Sequence, residues 1–169
     1  MYMAYVVTGS ECMIKLLILD IDGVMTNGTK MYDKQANVFG KCFHDHDFTA
    51  IKRFKRSLNV CFLSGDNAVN RNMSKSRKID FFHNERGRDK SEYLQEICHK
   101  YGVLENEAAY VGDDIYDLEI MKRVKYPMCP SDAVWDVIEF CETNGYVIPC
   151  KGGEGVVKYL YREVQSWKQ

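Results

Sequence analysis

Asp20 and Asp22 stand two residues apart at the end of the apolar run Leu16-Leu17-Ile18-Leu19, and Gly23 follows them directly. Two carboxylates directed at one point repel each other unless a cation intervenes, and a hard divalent ion such as Mg²⁺ takes oxygen ligands of this kind. A second acidic group, Asp113, Asp114 and Asp117, follows the run Ala108-Ala109-Tyr110-Val111-Gly112. Asp113 and Asp117 are four apart, so they share a face if a helix starts there. Ser64-Gly65 closes the run Val60-Cys61-Phe62-Leu63 and offers a hydroxyl and backbone N–H groups to an anion. Lys90 follows Asp89, a good N-cap, at a predicted helix start, where a cation opposes the helix dipole unless something anionic is near. Each feature has a bland reading as well: an acidic turn, an ordinary Ser-Gly turn, a lysine reaching water. Taken together they are complementary, because carboxylates hold the cation, one carboxylate can attack phosphorus, and Ser with Lys can bind phosphoryl oxygens.

Such a set works only if separated stretches meet. Uninterrupted apolar runs bounded by turn residues fit strands buried on both faces of a parallel sheet, and ligands bind such sheets at the carboxyl ends of the strands. Asp20, Asp22, Ser64 and Asp113 each end a predicted strand, so one sheet brings them to a common edge. Further strands are expected at Ile79 to Phe82, Tyr126 to Cys129 and Tyr146 to Ile148. Helices are expected at Asp47 to Leu58, Asn67 to Lys78, from Asp89-Lys90 to the stop at Gly102, Asp132 to Cys141 and Glu154 to Trp167. This βα alternation predicts an α/β fold: a doubly wound, Rossmann-like parallel sheet with helices on both faces and no cap domain. Lys30 to Tyr32 and Asn37 to Phe39 flank a polar turn and read as a β-hairpin projecting from that sheet, either a surface flap or an edge covered by another chain. Lys151-Gly152-Gly153-Glu154-Gly155 reads as too glycine-rich to be a connection of fixed shape.

Composition bounds the class. A chain of 169 residues with 46% hydrophobic content suffices for one domain with a real core, assigned to residues 13–169 after a leader or extension at 1–12. A formal charge of -1 leaves no global basic field, so nucleic acid is not an expected partner. No stretch has the apolar length of a membrane span, and Met1 to Cys12 lacks the pattern of a secretory signal. Seven cysteines, an odd number with no C-x-x-C pair, predict reduced thiols and a cytoplasmic location.

The order D-x-D-G-V-x-T-x-G, Ser-Gly, Lys, G-D-D-x-x-D resembles the four motifs of the haloacid dehalogenase superfamily from Ile14 to the end of the chain. Phe43-His44, Ile51-Lys52, Asp89-Lys90 and Gly152-Gly153-Glu154-Gly155 are similar to its small capless branch, the 3-deoxy-manno-octulosonate 8-phosphate and nonulosonate 9-phosphate phosphatases. The resemblance implies a phosphomonoester hydrolase acting on a phosphorylated 3-deoxy-2-keto sugar acid through an aspartyl phosphate. Asp20 is then the nucleophile and Asp22 the general acid/base, with Mg²⁺ held by Asp20, Asp113 and the Asp22 carbonyl. Ser64, Gly65 and Lys90 bind the phosphoryl group, with Asp114 and Asp117 supporting the site.

The same resemblance implies a homotetramer in which the hairpin is an assembly element and a neighbouring subunit helps close each site. It nominates Thr26, Asp66, Arg77, Glu154 and Lys158 as substrate contacts. Asp66 occupies a place where octulosonate-type members usually carry Arg, which with the G-G-E-G tail favours a nonulosonate 9-phosphate. Phe48 and Ala50 replace glycines that the branch has after the position of Asp47. The alternative is a non-catalytic tetramerisation module, since this fold is also found as an appendage of sialic-acid activating enzymes.

Overall fold

Leu16–Leu19 form strand β1, and every one of its side chains is buried because it lies at the centre of the sheet with layers on both faces. Residues 14–65, 68–86 and 88–166 are described here from a computed structural model; the leader at 1–12 and Asp66 lie outside the described residues. After β1 come β2 (Met31–Tyr32), β3 (Val38–Gly40), α1 (Asp45–Phe54), β4 (Asn59–Ser64), α2 (Ala68–Arg77) and β5 (Asp80–His83). A 3₁₀ turn at Lys90–Tyr93 leads into α3 (Leu94–Tyr101), and then β6 (Ala108–Val111) ends at a second 3₁₀ turn, Ile115–Asp117, before α4 (Leu118–Met121). β7 (Tyr126–Pro130), α5 (Trp135–Asn144), β8 (Tyr146–Ile148) and α6 (Val156–Ser166) complete the described order.

The main sheet has six strands in the order β5-β4-β1-β6-β7-β8, all parallel. The order reverses between β1 and β6, and open α/β sheets bind ligands in the crevice outside the strands at such a point. One layer packs Leu17 and Leu19 of β1 against Phe48, Ile51 and Phe54 of α1 and Val157 and Leu160 of α6. The other packs Leu16 and Ile18 against Leu94 and Ile97 of α3, Met121 of α4 and Val137 and Cys141 of α5. Each fully buried Leu or Ile contributes roughly 1.5–3 kcal/mol relative to exposure. β2 and β3 form a separate antiparallel two-stranded sheet, the expected hairpin.

One helix departs from the sequence expectation at its ends, and another keeps its expected stop. α1 starts earlier, at Asp45, and closes at Phe54, with Ser57 and Leu58 N–H groups turning back onto the Phe54 carbonyl. α3 stops at Gly102, which takes the left-handed conformation at φ 63°. The segment 151–155 does have a definite place. A Cβ on Gly152 would lie 2.0 Å from the Gly23 carbonyl oxygen, and the Gly153 N–H donates to the Val24 carbonyl at 3.0 Å. Glycine is required there for close approach to the loop after β1.

Candidate active site

Asp20 is the first residue beyond β1, and its N–H still donates to the Val111 carbonyl at 2.9 Å, so the sheet ladder fixes its backbone. Its Oδ1 accepts from the Ile21 N–H at 2.6 Å and its Oδ2 from the Lys90 ammonium at 2.7 Å. Lys90 enters from the 3₁₀ turn that Asp89 caps, where Asp89 accepts from the Ser91 N–H. The locally unfavourable lysine at a helix start is therefore explained by tertiary anions: Lys90 also donates to Asp117 Oδ1 at 2.6 Å. Burial alone favours neutral Lys90, but Asp20 and Asp117 outweigh it and hold its pKa above the ordinary lysine value. Burial pushes the Asp20 carboxyl up to about 6 against the pull of Lys90.

Asp117, fully buried, is held by four donors. Its Oδ1 accepts from Lys90 and from the Tyr110 hydroxyl at 2.6 Å, and its Oδ2 from the N–H groups of Asp113 and Asp114 at 2.9 and 3.0 Å. Asp113 lacks such support: its Oδ1 is buried without a hydrogen-bond partner among the described residues. Burial, then Asp20 and Asp117, push the Asp113 carboxyl up to about 8. Oxygens of Asp20, Asp113 and Asp117 lie within 4.8 Å of one another. Each Asp117 oxygen already accepts two hydrogen bonds, whereas each Asp20 oxygen accepts one, so Asp20 and Asp113 keep lone pairs for a cation, and the orphaned Asp113 oxygen is what a hard divalent ion would satisfy. The donor set fits Mg²⁺. Gly23, at φ 81°, leaves room for Asp113, since a Cβ there would fall 1.8 Å from Asp113 Oδ2.

Asp20, Gly23, Lys90 and Asp113 line a cavity of about 450 Å³ together with Asp22, Ser64, Gly65 and Asp114. The motifs that each end a strand do meet at one edge, as expected. Sequence reasoning missed four further residues at this cavity. Lys30, Asn84 and Tyr116 line it, and Lys41 holds Asp22 from behind, its ammonium donating to Asp22 Oδ1 at 2.7 Å and Oδ2 at 2.9 Å. A lysine after a hairpin strand carries no local signal of such a contact, because the partner is 19 residues away in sequence.

Four proposed substrate contacts lie outside the cavity lining of the single chain. Thr26 is fully buried, and its hydroxyl donates to the Ile21 carbonyl at 3.4 Å and accepts from the Gly28 N–H at 3.3 Å. It shapes the loop after β1 instead of facing a ligand. Arg77 donates to Asp45 at 2.9 Å and stacks over the Phe48 ring at 4.2 Å, so Phe48, where the branch has glycine, supplies an arginine platform. Glu154 and Lys158 are exposed.

The sequence profile of haloacid dehalogenase-like hydrolases matches residues 41–160, a span that contains Ser64, Lys90 and Asp113 but begins after Asp20 and Asp22. The 3-deoxy-D-manno-octulosonate 8-phosphate phosphatase of Haemophilus influenzae is 29% identical over 150 residues, covering 87% of this chain and 80% of that protein. A solved cobalt-bound structure of the Haemophilus influenzae deoxy-D-mannose-octulosonate 8-phosphate phosphatase superposes with a TM-score of 0.81 at 28% identity, covering 92% of this chain and 89% of that one. A Vibrio cholerae structure, assigned provisionally to the same activity, gives a TM-score of 0.82 at 26% identity over 92% of this chain and 85% of that one.

Proposed function

The chain belongs to the haloacid dehalogenase-like hydrolase family, and from that premise we propose that it is a Mg²⁺-dependent phosphatase acting on a phosphorylated 3-deoxy-2-keto sugar acid through an aspartyl-phosphate intermediate. The observation that carries the reading is Asp20, bonded to Lys90 at 2.7 Å and facing the unsatisfied Asp113, at a cavity that Ser64 also lines. Residues 13–169 form the catalytic domain in this reading.

Asp20 attacks phosphorus, forming the Oδ–P bond as the bond from phosphorus to the sugar oxygen breaks. Asp22 protonates the departing oxygen. It then takes a proton from water, which attacks phosphorus, releases inorganic phosphate and restores the Asp20 carboxylate. Lys90 and Ser64, with the N–H groups around Gly65, hold the phosphoryl oxygens as charge moves onto them. Asp20, Asp113 and the Asp22 carbonyl would hold Mg²⁺, which supplies positive charge for the phosphoryl oxygens when bound. Asp114 and Asp117 keep Asp113 and Lys90 in place.

The nonulosonate 9-phosphate is favoured over the octulosonate 8-phosphate because Asp66, when ionised, accepts hydrogen bonds from hydroxyls but disfavours a substrate carboxylate. Arg77, Glu154 and Lys158, which do not line this chain's own cavity, would act on the substrate in a neighbouring subunit's site, which makes a homotetramer part of the proposal. A cytoplasmic location fits the unpaired Cys42, Cys61, Cys98, Cys129, Cys141 and Cys150, and among the described residues no helix is long and apolar enough to cross a membrane.

Phosphate release from both sugar-acid phosphates with Mg²⁺, by wild type and Asp20→Asn, tests the reading. The wild type is expected to show higher kcat/KM on the nonulosonate, and the variant to lose at least about 10³-fold while folding normally. Near-normal turnover by Asp20→Asn would overturn the mechanism. Preference for the octulosonate would overturn only the specificity.

A further inference from the structure

We propose that Lys41 is a positioning residue for Asp22, and that Lys41, Asn70 and Ser64 form one buried polar chain tying the acid/base carboxylate to the phosphoryl-binding hydroxyl. The inference rests on the reading of Asp22 as the proton donor. Lys41 is the residue immediately after β3, and its side chain is completely buried while that of Asp22 is 23% exposed. A buried ammonium is costly unless it is paired and hydrogen-bonded. Lys41 meets that condition by donating to both Asp22 oxygens, at 2.7 and 2.9 Å, and to Asn70 Oδ1 at 3.1 Å. Asn70, itself fully buried in the first turn of α2, donates its Nδ2 to Ser64 Oγ at 3.3 Å. The two ends of Asn70 cannot be exchanged. An ammonium needs the carbonyl oxygen, which leaves the amide N–H for the hydroxyl.

Asp22 sits on a loop at the rim of the cavity, with Lys30 Nζ 3.7 Å from its Oδ2 on the open side. Unanchored, a carboxylate there samples several rotamers, and a misplacement of about 1 Å can cost about 10²-fold in rate. The two-pronged contact from Lys41 removes that freedom and leaves the cavity-facing edge of Asp22 for the leaving oxygen. Lys41 does not touch substrate, because its side chain is enclosed. Its place at the foot of β3 also makes the hairpin part of the catalytic framework.

The test exploits the fact that a general acid matters most for poor leaving groups. Lys41→Met, Lys41→Arg and Asn70→Ala are compared with wild type on p-nitrophenyl phosphate, whose phenolate leaves unaided, and on the preferred sugar-acid phosphate, whose alkoxide does not. The ratio kcat/KM is read because it reports steps up to leaving-group departure, so hydrolysis of the aspartyl phosphate does not mask the effect. Lys41→Met is expected to lose about 10²-fold on the sugar-acid phosphate and less than about 10-fold on the aryl phosphate. Lys41→Arg should recover part of the alkyl-phosphate loss, and Asn70→Ala should lose about 10-fold with the same selectivity. If circular dichroism shows Lys41→Met unfolded, the other two variants carry the same comparison. Equal losses on both substrates in folded variants would overturn the positioning role. A wild type inactive on both substrates would instead overturn the phosphatase reading, and this inference with it.

Discussion

Asp113 and Asp117 are four residues apart and carry the same side chain, yet their surroundings give them opposite roles. Asp117 is enclosed by Lys90, the Tyr110 hydroxyl and two backbone N–H groups, whereas a buried Asp113 oxygen has no donor among the described residues. The first arrangement is structural; the second is poised for a cation. A ligand that binds only the folded state stabilises it by about 2.7 kcal/mol at 100 times its dissociation constant. Saturating Mg²⁺ is therefore expected to raise the wild-type Tm by about 5–10 °C over the metal-free protein, and that of Asp113→Asn by less than about 1 °C. Differential scanning calorimetry with and without chelator measures this, and equal shifts in the two proteins would remove Asp113 from the metal site.

At the scale of elements, α1 and α6 are joined by a cap that crosses the chain. Asp47, fully buried in the first turn of α1, accepts the Lys158 N–H at 2.7 Å and thereby caps the start of α6. The Phe54 and Tyr161 rings meet edge to face at 5.0 Å between the same helices. Burial pushes the Asp47 carboxyl above the ordinary aspartate value, with the N–H groups of Lys158 and Val157 pulling the other way. A raised carboxylate pKa means that the folded state keeps a proton the unfolded state has released. Stability is then lost as pH rises from the unfolded value, about 3.9, to the raised folded one. Asp47→Ala is expected to cost about 1–2 kcal/mol. Asp47→Asn keeps an acceptor for α6 and abolishes the pH-dependent loss, so its stability relative to wild type should grow across that window and then level off. Urea unfolding from pH 4 to 8 checks both, and a flat difference for Asp47→Asn would refute the assignment.

For the whole molecule, the hairpin is the element least accounted for by one chain. Among the described residues β2 and β3 pair only with each other, and Met31, Tyr32 and Phe39 are 41%, 58% and 63% exposed. An isolated two-stranded hairpin is marginal in water, and such side chains favour burial against another surface. Ile115, Tyr116, Val134 and Trp135 are also exposed, and Tyr116 lines the cavity mouth. With four chains assembled through the hairpin, solution scattering is expected to give a mass near four chains. Replacing residues 31–39 by a two-residue turn, with Lys41 retained, should lower both mass and activity. A fully active monomer would refute the assembly.

Much of this arrangement was determined by amino-acid order alone. Buried parallel strands must be continuously apolar, so the polar residues that end them announce the edge where the cavity lies, and the meeting of Asp20, Asp22, Ser64 and Asp113 there was legible for that reason. Lys90 was legible as an anomaly, a cation at a helix start that makes sense only beside anions. The tertiary structure decided whatever depends on distance between remote residues. It set Lys41 on Asp22, gave Asp117 to Lys90 while leaving Asp113 open, and folded Gly152 onto Gly23. It also enclosed Thr26 in its own loop and turned Arg77 to Asp45 and Phe48, away from the cavity. Local pattern reports periodicity and the ends of elements, but a hydrogen bond across 19 or 70 residues exists only once the sheet has set which strand edges are neighbours.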